Sequence, residues 1–155
     1  MKLRLWIVGA GDTRRYTRLA RGHRLDQDDV RFFKPRTDVE RVYQAADIFV
    51  AATLYETFSL AAHEAAACSL PIVATRVSGI DELIGDDEAG LRVDRNSGAV
   101  GRAIAALAQD PDLRARLGSR GRRRTEQLTW QHSVDSVLDC YSSVLLAPGA
   151  SPEPA

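Results

Sequence analysis

The sequence predicts an α/β, Rossmann-like fold of three layers, α/β/α, with a mostly parallel sheet and a helical C-terminal third. Three observations carry that expectation. Short apolar runs alternate with helical stretches from residue 3 to residue 93, the pattern of successive βαβ units. The run Ile48-Phe49-Val50-Ala51 is continuously apolar, as suits a strand covered on both faces. From residue 97 onward only helical patterning remains.

Taken in order, Leu3-Arg4-Leu5-Trp6-Ile7-Val8 is rich in β-branched and aromatic residues and reads as the first strand. It ends at Gly9-Ala10-Gly11-Asp12, and a helix follows over residues 13–21 with Asp12 or Thr13 as N-cap. Gly9 and Gly11 are two glycines of a dinucleotide-binding turn, but Arg14 stands where the third belongs. A tight strand-to-helix turn is the favoured reading, on a sheet edge that can border a ligand. Val30-Arg31-Phe32-Phe33 is the second strand, broken by Lys34-Pro35-Arg36. Thr37 or Asp38 opens a two-turn helix over 39–45 with Val39, Val42 and Tyr43 as its inner face. The third strand is 48–51, a helix spans 60–68, and the fourth strand is 72–74. Arg76-Val77-Ser78-Gly79 turns into a short helix over 80–84 carrying Glu82. A polar turn over 86–90 leads to a strand at Leu91-Arg92-Val93. Helices are expected over 97–108, 111–128 and 133–146, with Pro111 at a helix start. The domain is therefore 1–146, and the Pro/Ser/Ala-rich residues 147–155 read as a disordered tail.

The 155 residues hold 21 basic and 21 acidic side chains, a formal net charge of zero. That balance argues against nucleic-acid binding, which needs a basic excess. No apolar run approaches the roughly 20 residues of a membrane span, and the charged start Met1-Lys2-Leu3-Arg4 is not a signal peptide. A cytoplasmic location is expected. Cys68 and Cys140 lie far apart in apolar helical surroundings and read as small core hydrophobes. No metal-ligand spacing is present, so no metal is expected. Arg116, Arg120, Arg123 and Arg124 fall on one helical stripe. A solvated basic face is favoured there, with peripheral contact to an anionic membrane surface as runner-up.

The chain is organised around Glu56-Thr57-Phe58-Ser59-Leu60-Ala61-Ala62-His63-Glu64. The helix at 60–68 is apolar on every side except for Glu64 and His63, which predicts a buried helix. A carboxylate there either reaches water, pairs with an arginine, or meets a polar ligand. Glu56 stands in the loop ahead of it, read locally as a solvated residue near the helix start. Phe58, Ser59 and Leu60 supply the first N–H groups of the helix, a ready anion site. Thr57 and Ser59 could add hydroxyl donors, or either could be a plain N-cap.

With these pieces in place the chain resembles the C-terminal, donor-binding domain of the glycogen-synthase-like (family 4, group 1) glycosyltransferases of the two-domain GT-B fold. The resemblance runs from about Leu3 to Leu146 and rests on motifs in the family's order. They are Ile7-Val8-Gly9-Ala10-Gly11, Ala45-Ala46-Asp47-Ile48-Phe49-Val50, Tyr55-Glu56-Thr57-Phe58, Glu64-Ala65-Ala66-Ala67, Leu70-Pro71-Ile72-Val73-Ala74-Thr75, Ser78-Gly79-Ile80-Asp81-Glu82-Leu83 and Ala89-Gly90-Leu91-Arg92-Val93. It implies a nucleoside-diphosphate sugar donor, a UDP-, GDP- or ADP-sugar. Glu64 would accept from the ribose hydroxyls and Glu56, the catalytic candidate, would hold the donor sugar. The N–H groups of Phe58, Ser59 and Leu60, with Thr57, would cradle the diphosphate. Phe33, Lys34 and Arg36 would border the base together with the Gly9–Gly11 loop. The family retains anomeric configuration, transfers a hexosyl group and generally needs no metal.

Departures from the family pattern accompany the match. Ser59, Ser69 and Ser78 stand where glycines are common, and Ala52-Thr53 replaces a Pro-Ser. An opening strand bearing an arginine and a lysine is not found, which is expected to leave the sheet short near its middle. The first strand would then pair differently, or another chain would fill the gap. An N-terminal acceptor-binding domain or a second chain is an expected partner. The chain alone is expected to be the donor-binding half and inactive or nearly so. The alternatives are a non-catalytic nucleotide-sugar-binding module and a degenerate interaction domain.

Overall fold

The computed structural model describes residues 2–86 and 89–145. The expected tail over 147–155 and part of the polar turn over 86–90 lie outside the described residues. The chain divides into two compact units, Met1–Val39 and Glu40–Ala155.

The first unit holds β1 (Leu5–Val8), α1 (Arg14–Gly22) and β2 (Val30–Phe33). The two strands pair in parallel, from Leu5 opposite Val30 to Val8 opposite Phe33. Trp6 lies edge-on to Phe33 at 5.8 Å between ring centroids, a diagonal aromatic pair across the two strands. α1 opens at Thr13, whose side chain makes no cap bond. Asp12 instead accepts from the backbone N–H and the Nε of Arg14, and these bonds lower its pKa below the ordinary carboxylate value.

The second unit runs α2 (Val39–Gln44), β3 (Phe49–Ala51), α3 (Leu60–Ala67), β4 (Ile72–Thr75), α4 (Ile80–Ile84), β5 (Gly90–Val93), α5 (Ser97–Gln109), α6 (Pro111–Thr125) and α7 (Trp130–Leu145). Its sheet is wholly parallel, in the order β3-β4-β5. β4 is central and buried at every residue. Successive side chains of a strand point to opposite faces, and β4 uses both. Ile72 and Ala74 join a core with Ala62, Ala65 and Ala66 of α3 and Ile80, Leu83 and Ile84 of α4. Val73 joins Ala103 and Leu107 of α5 and Leu117 of α6 on the other side. That is the expected α/β/α layering. The described strands fall into two sheets rather than one, in line with a sheet short of a strand.

Helix ends follow their sequence signals. Asn96 accepts from the N–H of Ala99 at 2.8 Å to open α5, and Asp110 accepts from the N–H of Leu113 at 2.8 Å to open α6 with Pro111 in its first turn. Arg114 donates to the carbonyl of Leu107 at 2.6 Å, which satisfies the last turn of α5. α3 ends in a Schellman arrangement: Ser69 donates to the Ala66 carbonyl and Leu70 to the Ala65 carbonyl. Ser69 takes φ +63 there, the left-handed value that glycine adopts freely. α6 then closes on this turn. A Cβ at Gly118 would meet the Ser69 carbonyl oxygen at 2.0 Å.

Three expectations are corrected. The helix holding Glu64 is not covered on every side: Leu60 is 63% exposed, and Ala61 and Glu64 are exposed with it. Alanine fits either environment, so an alanine-rich helix hides which face is open. Cys140 is exposed on α7 and Cys68 half-buried, so neither is a core residue. The arginine stripe of α6 is not a simple solvated face, because Arg124 turns inward and donates to the Glu82 carbonyl at 3.2 Å. Along α7, Trp130, Val134, Val137, Leu138, Tyr141 and Val144 form an exposed apolar stripe. Among the described residues no helix is long and apolar enough to cross a membrane.

Replacing Ser69 by glycine is expected to raise unfolding free energy by about 0.5–1 kcal/mol, as left-handed strain is relieved against the added chain entropy. Gly118→Ala is expected to lower it by about 1–3 kcal/mol through overpacking. Urea denaturation midpoints of the two variants, moving in opposite directions, check both.

Candidate donor-binding site

The segment between β3 and α3 is tied down before it reaches its functional residues. Thr75, at the end of the buried central strand, donates from its hydroxyl to the Thr53 carbonyl at 2.5 Å. Thr53 in turn donates to the Tyr55 carbonyl at 3.0 Å. Glu56 follows, half-buried, and Thr57 is exposed. Phe58 then stacks on His63 with centroids 4.1 Å apart and planes 13° from parallel. The backbone of α4 presses on the same point. A Cβ at Gly79, itself at φ +77, would meet the Phe58 carbonyl oxygen at 2.0 Å. Only glycine allows that approach.

Ser59 is the turning point into the helix. It takes φ +60, ψ +57, its side chain makes no cap bond, and it is 6% exposed. Nδ1 of the buried His63 lies 3.1 Å from the Ser59 carbonyl. A carbonyl only accepts, so Nδ1 carries the proton in this bond. Among the described residues no group accepts from the N–H of Phe58, Ser59 or Leu60. These are the orphan donors at the positive end of α3. Phe58 and Leu60 are exposed on either side of the buried serine. Phe58 and His63 also line a cleft of about 450 Å³ with Glu82, Leu83, Arg124 and His132.

One and a half turns further, Glu64 stands on the exposed face of α3. Among the described residues its carboxylate makes no ion pair. Oε2 accepts from the Tyr43 hydroxyl at 3.1 Å. Tyr43 is half-buried on α2, packed against the core and edge-on to Phe49 at 6.2 Å. Burial first, then the hydrogen bond and the charge of Glu64, push its phenol up to about 12.

The structure therefore brings Glu56, Thr57, Phe58, Ser59, Leu60 and Glu64 together on one loop and the start of one helix. The remaining predicted residues belong to the first unit. Gly9 and Gly11 follow β1, and Gly9 donates to the Phe33 carbonyl at 3.1 Å. Gly11 has φ +135, a value that suits glycine. Phe33 is half-buried and Lys34 exposed. Arg36 is engaged in a two-point pair with Asp38, at 2.8 and 2.7 Å, which raises the arginine's pKa and lowers the aspartate's.

Sequence reasoning missed three contributors. His63 was legible only as its spacing, four residues after Ser59 on the same helix face. Tyr43 was placed on the inner face of its helix, with nothing to indicate a partner 21 residues away. Gly79 read as a plain turn residue. Its close approach depends on a contact between segments that no local pattern encodes.

Residues 1–110 match the family model described as "Glycosyl transferases group 1". This chain belongs to the group 1 glycosyltransferases. It is 36% identical over 125 residues to a D-inositol 3-phosphate glycosyltransferase of Salinispora arenicola, which spans 79% of this chain and 28% of that protein. Among solved structures it resembles sucrose-phosphate synthase from Thermosynechococcus elongatus, with TM-score 0.82, 29% identity, and coverage of 93% of this chain and 39% of that one. It also shares its fold with Anabaena HepE, solved in complex with UDP, with TM-score 0.76, 21% identity, and coverage of 89% and 41% of the two chains. The chain thus spans about a third of the length of the group 1 relatives it matches.

The Tyr43 phenol supplies a pH test. Its proton leaves the unfolded chain near the ordinary value of 10.0 and the folded chain near 12. Between those values the unfolded state binds fewer protons, so stability falls as pH rises through that window. The contribution is fully present below pH 10. Denaturation midpoints measured from pH 9 to 12 should decline, and Tyr43→Phe should flatten the decline. The variant should also lose a tyrosinate absorbance step near pH 12.

Proposed function

We propose that this chain is the donor-binding part of a retaining glycosyltransferase that transfers a hexosyl group from a UDP-, GDP- or ADP-sugar. The observation that carries the reading is Glu64: an exposed carboxylate on an otherwise apolar helix, in no ion pair among the described residues. Structure alone gives no reason for an acid at that position, whereas a ribose diol offers two hydroxyl donors to it. The orphan N–H groups of Phe58 and Leu60, flanking Ser59, suit the diphosphate, with the Thr57 hydroxyl as an added donor. Glu56, half-buried in the tethered loop, is assigned to hydroxyls of the donor sugar. On the first unit we assign Gly9, Gly11, Phe33, Lys34 and Arg36 to the nucleobase side of the donor.

The chemistry asked of such residues is electrostatic. Departure of the diphosphate leaves an oxocarbenium-like sugar, and fixed N–H dipoles stabilise the charge that develops on the leaving group. The group is held without a metal in this reading. Transfer also needs an acceptor site, which we assign to a separate domain or a second chain.

A second reading, an interaction domain that keeps only the fold, is favoured by the exposed apolar stripe of α7. Isothermal titration with UDP, GDP, ADP and their sugars separates the two. One nucleotide series is expected to bind. Glu64→Ala should weaken nucleotide and nucleotide sugar alike by about tenfold or more, the scale of a lost hydrogen-bonding partner to a charged group. Glu56→Ala should weaken only the sugar-bearing ligands. Absence of binding across all three series would leave the interaction domain.

A further inference from the structure

We propose that Tyr43 is a positioning residue for the nucleotide: its hydroxyl holds Oε2 of Glu64, so that the carboxylate is already oriented for the ribose diol. The proposal rests on the donor-binding reading and adds to it a residue outside the segment that touches the ligand.

Glutamate has a long side chain, and on an exposed helix face it loses rotamer freedom when a ligand fixes it. A partner that fixes it beforehand removes that cost from binding. The Tyr43 hydroxyl reaches Oε2 at 3.1 Å. Its own ring has no such freedom, being packed against the core of the second unit and edge-on to Phe49. An ionised carboxylate has about four lone-pair positions. One phenol donor occupies one of them and leaves both oxygens able to accept.

The choice of donor also matters. An arginine or lysine in this place would pair with the carboxylate and compete with the incoming hydroxyls. A phenol donates one bond and leaves the full negative charge. Tyr43 stays protonated across the neutral range, with its pKa pushed up to about 12. Arg122, the nearby cation on α6, is turned elsewhere, donating to the Ala67 carbonyl and to Glu126.

The test compares one nucleoside diphosphate, whichever of UDP, GDP or ADP binds, with its 2′,3′-dideoxy counterpart by isothermal titration. Tyr43→Phe removes one oxygen and keeps the ring on Phe49. It is expected to weaken the ribonucleotide by about fivefold or more while leaving the dideoxy nucleotide within about twofold, so that the preference for the ribose hydroxyls shrinks. Dideoxy binding doubles as the check that the variant is folded. Equal weakening of both ligands would mean a structural role and overturn the proposal, as would unchanged ribonucleotide binding by Tyr43→Phe when Glu64→Ala weakens it. If Glu64→Ala has no effect, or no nucleotide binds, the donor-binding reading fails and takes this proposal with it.

Discussion

The second unit depends on how closely α3 and α6 approach. The inner face of α3 is alanine at positions 62, 65 and 66, each fully buried. α6 answers with Gly118 and Gly121. A Cβ at Gly121 would lie 3.3 Å from that of Ala66, and one at Gly118 would collide with the Ser69 carbonyl. With side chains this small, backbones meet at a distance larger residues would forbid, and dispersion contacts accumulate along the whole interface. The helix is thereby seated in one rotational setting. Its alanines face β4 and α6, and Leu60, Ala61 and Glu64 are turned outward.

The same seating explains why the loop ahead of α3 is so thoroughly restrained. Each restraint comes from a different element. Thr75 reaches it from β4, Gly79 presses from α4, and His63 holds it from within α3. Together they hold Ser59 in a conformation that a residue with a Cβ adopts at a cost of about 1–2 kcal/mol. Strain of this kind persists only where the surroundings over-determine it. The outcome is a helix start whose first N–H groups are left without protein acceptors among the described residues.

Much of the layout was legible in the sequence, and the reasons are local. Val30 to Phe33 and Ile80 to Ile84 are bounded by turn residues, and both elements begin and end where those signals put them. The Glu56–Glu64 segment stood out because a charged residue interrupts an apolar helix. What stayed hidden was environmental. Alanine carries too little hydrophobic contrast to tell a buried face from an open one, so α3 read as covered all round. The left-handed turns at Ser59 and Ser69 were equally silent, because serine, unlike glycine, does not announce them. Contacts such as Tyr43 with Glu64 join residues far apart in the chain, and periodicity carries no information about them.

The left-handed serines at both ends of α3 have a further consequence. Ser59 and Ser69 act as fixed stops, ten residues apart, and the eight helical residues between them have no room to slip. The helix is a spacer of set length and phase. Substitutions on its outer face leave that phase alone. One inserted residue between the stops would turn everything beyond it by about 100°, carrying the acid at position 64 off the open face and swinging it toward the alanine-lined interior. The segment should thus accept a change of residue far more readily than a change of length.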